Sequence, residues 1–76
     1  MNTFGDRLKE ARKAKKLTQK ELAKILGTTE SNVNNYEKNR AYPKAEAIIK
    51  ICNELNVSAD WLLGIQNKNS IENEAI

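Results

Sequence analysis

Residues Thr29 to Lys38, TESNVNNYEK, bring hydroxyls, carboxamides, two carboxylates and one cation into ten positions. These groups donate and accept hydrogen bonds at close range. Asn pairs bidentately with adenine edges, Ser and Thr with several edges, and Glu accepts from cytosine N4. The same residues are poor helix formers, because Asn, Ser and Thr side chains compete with the backbone. A face made only for water would carry Glu, Lys, Gln and Arg, which hold a helix better. With Val33 at the centre of a buried face and 100° per residue, Tyr36 and Glu37 fall beside it. Ser31, Asn34, Asn35 and Lys38 then fall on the far side, Glu30 opens the helix and Asn32 lies to the side. A genome poor in G and C, which favours Asn codons, is the bland alternative, and Asn67, Asn69 and Asn73 lend it weight.

Other chemistry has few residues to work with. The 76 residues contain no His and one Cys, Cys52. That excludes a zinc site of His and Cys ligands and the Ser–His and Cys–His nucleophilic pairs, so no catalytic residue, metal or cofactor is expected. No apolar run approaches the roughly 20 residues needed to span a bilayer. One Cys and no signal peptide imply a cytoplasmic protein. No small-molecule ligand is evident.

Net charge is +3, unevenly placed. Residues 1–44 hold eleven Lys and Arg against five Asp and Glu, whereas residues 45–76 hold two against five. A basic first half suits a polyanion, either nucleic acid or an anionic surface, and is also compatible with an ordinary solvated face.

These residues need elements to hold them. Phe4, Leu8 and Ala11 recur at helical spacing and predict a helix over 4–15, started by Thr3 and Asp6. Thr18-Gln-Lys-Glu21 is a capping-box pattern that opens a helix over 19–26, and Gly27 ends it. Thr29 caps a third helix over 30–38, with Asn39 at its left-handed exit. Pro43 marks a loop. Ile48, Ile51, Cys52 and Leu55 predict a helix over 45–55, and Ser58 caps a last one through Leu63. The expected core is Leu8, Ala11, Leu17, Leu22, Leu26, Val33, Ile48, Ile51, Cys52, Leu55, Val57, Trp61 and Leu62. The fold class is all-α, with one domain over residues 1–64 and a polar tail or linker over 65–76.

The run LTQKELAKILGTTESNVNNYEKNRAYPKAEAIIKICNELNVSADWLLG resembles the helix-turn-helix domain of the phage-repressor and Cro family, also called Xre. The pattern matched is Leu-Thr-Gln-x-Glu-Leu-Ala, then Leu-Gly, a polar helix with Val33, Tyr36 and Glu37, a Pro-containing loop, and Val-Ser-x-Asp-Trp-Leu-Leu-Gly. It covers about Phe4 to Gly64.

The resemblance implies a compact five-helix, lambda-repressor-like fold. It implies a regulator of transcription, a repressor that binds a palindromic operator in double-stranded DNA as a homodimer. Thr29, Glu30, Ser31 and Asn35 match base-reading positions, with Asn34 flanking. Thr18, Gln19, Lys38, Arg40 and Lys44 match phosphate-contacting positions. Arg12 and Glu37 match a pair that ties the first helix to the third, the Arg also near a phosphate. Tyr42, Ala59, Leu62 and Ile65 are the expected dimer surface. Ala23 matches the small residue that lets the motif helices approach. The family commonly has Gly at Asn39, Ser at Lys44 and Leu at Ala45, so strain at Asn39 and a late start to the fourth helix are expected. An antitoxin, a restriction–modification controller and a protein-interaction adaptor that has left DNA are the alternatives on the same fold.

Overall fold

The structure, a computed structural model, describes residues 2–65. Five helices make up its regular structure among those residues: α1 Phe4–Ala14, α2 Gln19–Leu26, α3 Glu30–Glu37, α4 Ala45–Leu55 and α5 Ala59–Leu63. The first and third each end one residue short of expectation.

Local chemistry sets most of the boundaries. Thr3 and Asp6 form a reciprocal capping box on α1, and Thr18 and Glu21 form another on α2. Thr29 and Ser58 accept from the N–H groups of Asn32 and Trp61. A cap of this kind stabilises a helix by about 1 kcal/mol. The backbone N–H of Thr3, donating to the Asp6 carboxylate, holds that carboxyl below its usual 3.8. Lys44 makes no side-chain cap, as its departure from Ser implies, yet α4 still starts at Ala45 rather than late. Asn39 and Asn56 leave their helices with φ of 60° and 56°, in the left-handed region.

The core joins every helix. Phe4, Leu8 and Ala11 of α1 meet Leu22 and Ala23 of α2, Val33 of α3, Ile51 and Leu55 of α4, and Leu62 of α5. Leu17, Leu26, Ile48, Cys52 and Val57 pack against it half-buried. Burial pushes the Cys52 thiol up from 9.0.

Two expectations are corrected here. Trp61, expected in the core, is 37% exposed. Leu62, expected both in the core and on a dimer surface, is fully buried. The reason is angular: α5 is five residues long and packs on α1 and α4, so with Leu62 inward its neighbours 100° away turn outward. Beyond Ile65, the tail or linker expected over 65–76 lies outside the described residues.

Candidate nucleic-acid interface

Helices α2 and α3 pack on each other across a turn at Gly27, whose φ is 71°. Ala23, buried on α2, lets the two helices close. Helix α3 also packs on α1. There Gly5 has no room for a side chain: an added Cβ would lie 2.7 Å from the Glu37 carbonyl carbon and 2.9 Å from the Tyr36 oxygen. Contacts on two sides fix the roll of α3, so Val33 and Glu37 face in while Thr29, Glu30, Ser31 and Lys38 are exposed.

A buried polar cluster completes the clamp. Arg12 Nε and Nη2 donate to the two Glu37 carboxylate oxygens at 2.6 and 3.1 Å. Arg12 Nη1 donates to the Leu17 carbonyl at 2.7 Å. The expected pair is therefore present as a bidentate bridge, with side chains 9% and 3% exposed. Three of the five guanidinium N–H groups are engaged inside the protein, which leaves two for any phosphate.

Gln19 extends the cluster. Its Nε2 donates to Glu37 Oε1 at 3.0 Å and to Asn34 Oδ1 at 3.3 Å. Both side-chain N–H groups expected at a phosphate are thus turned inward. Gln19 keeps its backbone N–H for that purpose, because the first-turn amides of α2 have no intrahelical acceptor. Thr18 is exposed, and its Oγ1 accepts from Glu21 at 3.0 Å while its own O–H stays available to donate.

The asparagines divide by role. Asn32 donates to Thr28 Oγ1 at 2.7 Å and closes the turn. Asn34 and Asn35 are half-buried, and no side-chain partner engages Asn35 among the described residues. Asn39 Oδ1 accepts from the Gly5 N–H and Asn39 Nδ2 donates to Thr3 Oγ1, both at 2.9 Å. A groove of about 460 Å³ between α2 and α3 is lined by Gln19, Glu30, Ser31 and Asn34. Lys38, Arg40 and Lys44 are exposed after it in the chain.

Away from this face, Tyr42 and Ile65 are 68% and 55% exposed and Ala59 is exposed too. Tyr42 stands beside Phe4 with ring centroids 5.3 Å apart. The residues available around Leu62 are Trp61 and Leu63. The sequence reading missed the Asn39 tie, the Gln19–Asn34 bond and the close approach at Gly5. Only the last left a trace, a Gly inside a helical pattern where Ala is worth about 1 kcal/mol more. Among the described residues no group of His, Cys, Asp and Glu could hold a metal ion, and no helix is long and apolar enough to cross a membrane.

Comparison with known proteins gives this geometry a context. Residues 5–68 match the model of a helix-turn-helix domain family. The HTH-type transcriptional regulator ImmR of Bacillus subtilis is 40% identical over 97% of this chain and 65% of its own length, so this chain spans less than two thirds of that relative. The P22 c2 repressor, solved in complex with a synthetic operator, superposes with a TM-score of 0.78 at 27% identity, over 83% of this chain and 96% of that one. SinR, a master regulator for biofilm formation solved in complex with DNA, superposes with a TM-score of 0.71 at 31% identity, over 79% and 97%.

Proposed function

The chain belongs to the helix-turn-helix family of phage-repressor and Cro type, and we propose that it is a sequence-specific DNA-binding regulator of transcription. In this proposal it is a cytoplasmic repressor that binds a palindromic operator in double-stranded DNA as a homodimer. The observation that carries the proposal is the outer face of α3. Its polar groups are held rigidly from behind by Val33 and Glu37, yet Ser31, Asn35 and the Nδ2 end of Asn34 have no partner of their own among the described residues. Helix-turn-helix proteins place such a helix in the major groove with its N-terminal residues leading.

The roles follow from chemistry. Thr29, Glu30, Ser31, Asn34 and Asn35 discriminate bases, and the exposed cations Lys38, Arg40 and Lys44 contact phosphates with Thr18 and the first-turn N–H groups of α2. Arg12 is first a tie between helices and only secondarily a phosphate contact. Two copies would set their recognition helices about one turn, ~34 Å, apart. Tyr42, Ala59 and Ile65 supply the dimer surface, with Trp61 and Leu63 in place of the buried Leu62.

Selection of preferred sites from random DNA tests the whole proposal. An enriched motif with two inverted half-sites is expected. Binding whose strength is indifferent to both sequence and salt would remove it, because phosphate contacts make affinity fall with salt.

A further inference from the structure

Gln19 stands where α2 meets the polar face of α3, bonded at once to a buried carboxylate and to a residue of the groove. We infer that Gln19 is a positioning residue that fixes which end of the Asn34 carboxamide faces the groove, and so which bases Asn34 accepts. The inference rests on the DNA-reading proposal.

Polarity passes along the cluster one partner at a time. The Arg12 guanidinium can only donate, and the Glu37 carboxylate paired with it only accepts. The end of Gln19 that faces Glu37 is therefore its NH₂. That nitrogen carries a second hydrogen, and Asn34 lies 3.3 Å away. Only an acceptor satisfies it, so Asn34 Oδ1 turns to Gln19 and Nδ2 is left for the groove shared with Glu30 and Ser31. An unconstrained Asn presents both ends and suits adenine, which offers N7 as acceptor and N6 as donor. Held this way, Asn34 is a donor only and suits guanine O6 or N7, or thymine O4. Asn35 has no such tether among the described residues and keeps both ends.

The test compares site selection by the wild type, Gln19→Leu, Asn34→Ala and the double variant, with thermal unfolding to confirm that each folds. The wild type should prefer guanine or thymine over adenine at one position of each half-site, because a donor alone gains nothing from adenine N6–H. Gln19→Leu should lower that preference about fivefold or more while the rest of the motif stands. Asn34→Ala should lose the same preference, and the double variant should lose no more than Asn34→Ala, since coupled residues are not additive. A Gln19→Leu motif identical to the wild type overturns the inference. So does equal weakening on all sequences, which would make Gln19 a phosphate contact.

Hydrogen exchange of the side-chain amides in the free protein reads the orientation without DNA. Slow exchange at Gln19 and fast exchange at Asn34 are expected, and a protected Asn34 amide overturns the relay even if the protein reads DNA. A wild type with the expected exchange that selects no motif overturns the DNA-reading proposal, and the base-selecting role of Gln19 falls with it.

Discussion

The Asn39 carboxamide accepts from the backbone N–H of Gly5 at 2.9 Å, so the residue that terminates α3 also anchors the first turn of α1. Its Nδ2 reaches Thr3, the cap of that same helix. Asn39 holds this position with φ at 60°, where Gly is easier. The side chain gives a physical reason for Asn at a place where the family resemblance implies Gly. Asn39→Gly relieves the backbone but removes two hydrogen bonds, each contributing about 0.5–1.5 kcal/mol. A net loss of about 1 kcal/mol is expected for Gly and about 2 kcal/mol for Ala, which keeps the strain as well. Urea unfolding measures both. A more stable Asn39→Gly would mean that the tie contributes nothing.

Gly5→Ala tests the neighbouring contact with the opposite intuition. Helix propensity alone makes Ala better by about 1 kcal/mol. At this position the new Cβ meets backbone of Tyr36 and Glu37, which cannot rotate out of the way. Either α1 and α3 separate or the protein loses about 3 kcal/mol or more, in the range of overpacked cores. Differential scanning calorimetry should show a clear drop in Tm, and an unchanged Tm would show that the two helices have slack.

How much of this was legible in the sequence depended on the range of the interaction. The helices could be placed from contacts within three or four residues: Thr18 with Glu21, Thr29 with Asn32, Asn56 at its left-handed exit. The core positions Leu8, Leu22, Val33 and Ile51 followed from helical spacing. Trp61 did not, because a five-residue helix has too little periodicity to tell an inward position from its neighbour. Family resemblance supplied the Arg12–Glu37 pair, whose members are 25 residues apart in the chain. Nothing local could supply Gln19–Asn34 or Asn39–Gly5, since each joins elements whose relative placement only the packed fold decides.

That buried pair makes a prediction about singles and doubles. Removing one partner strands the other in a buried site, at a cost of about 3–5 kcal/mol. Arg12→Met and Glu37→Leu should each approach that loss. The double variant should recover part of it, because apolar replacement of both partners leaves no stranded charge, although the Leu17 carbonyl and Gln19 Nε2 still lose their partners. A double-mutant cycle by chemical denaturation checks the sign, and strictly additive losses would sink the idea of a mutually dependent pair.

Asp6 gives a pH dependence with a definite direction. Its carboxyl is held below 3.8 in the folded protein, first by the Thr3 backbone N–H and then by the Thr3 hydroxyl. A depressed folded value means that the contribution is complete above the unfolded value and is lost as pH falls through the folded one. The Tm advantage of the wild type over Asp6→Asn should therefore be constant above about pH 5 and close as the pH drops below 3.8. An advantage that persists in strong acid would point to a cause other than the carboxylate.

On DNA, Asn35 of α3 and Lys38, the residue that caps it, should fail in different ways although they lie three positions apart. Asn35 is half-buried on the outer face with an untethered carboxamide, suited to a base edge, whereas Lys38 is the exposed C-cap with a charge and no directional fork. Asn35→Ala should cost roughly 1–3 kcal/mol on the selected site, relax preference at one base pair and leave the salt dependence nearly unchanged. Lys38→Ala should weaken selected and random sequences alike and reduce the slope of log K against log salt by about 1. Fluorescence anisotropy at several salt concentrations, on selected and scrambled duplexes, separates the two behaviours. If both variants lose affinity uniformly with the same change in slope, Asn35 is an anchor like Lys38, and base discrimination must come from the residues that open the helix.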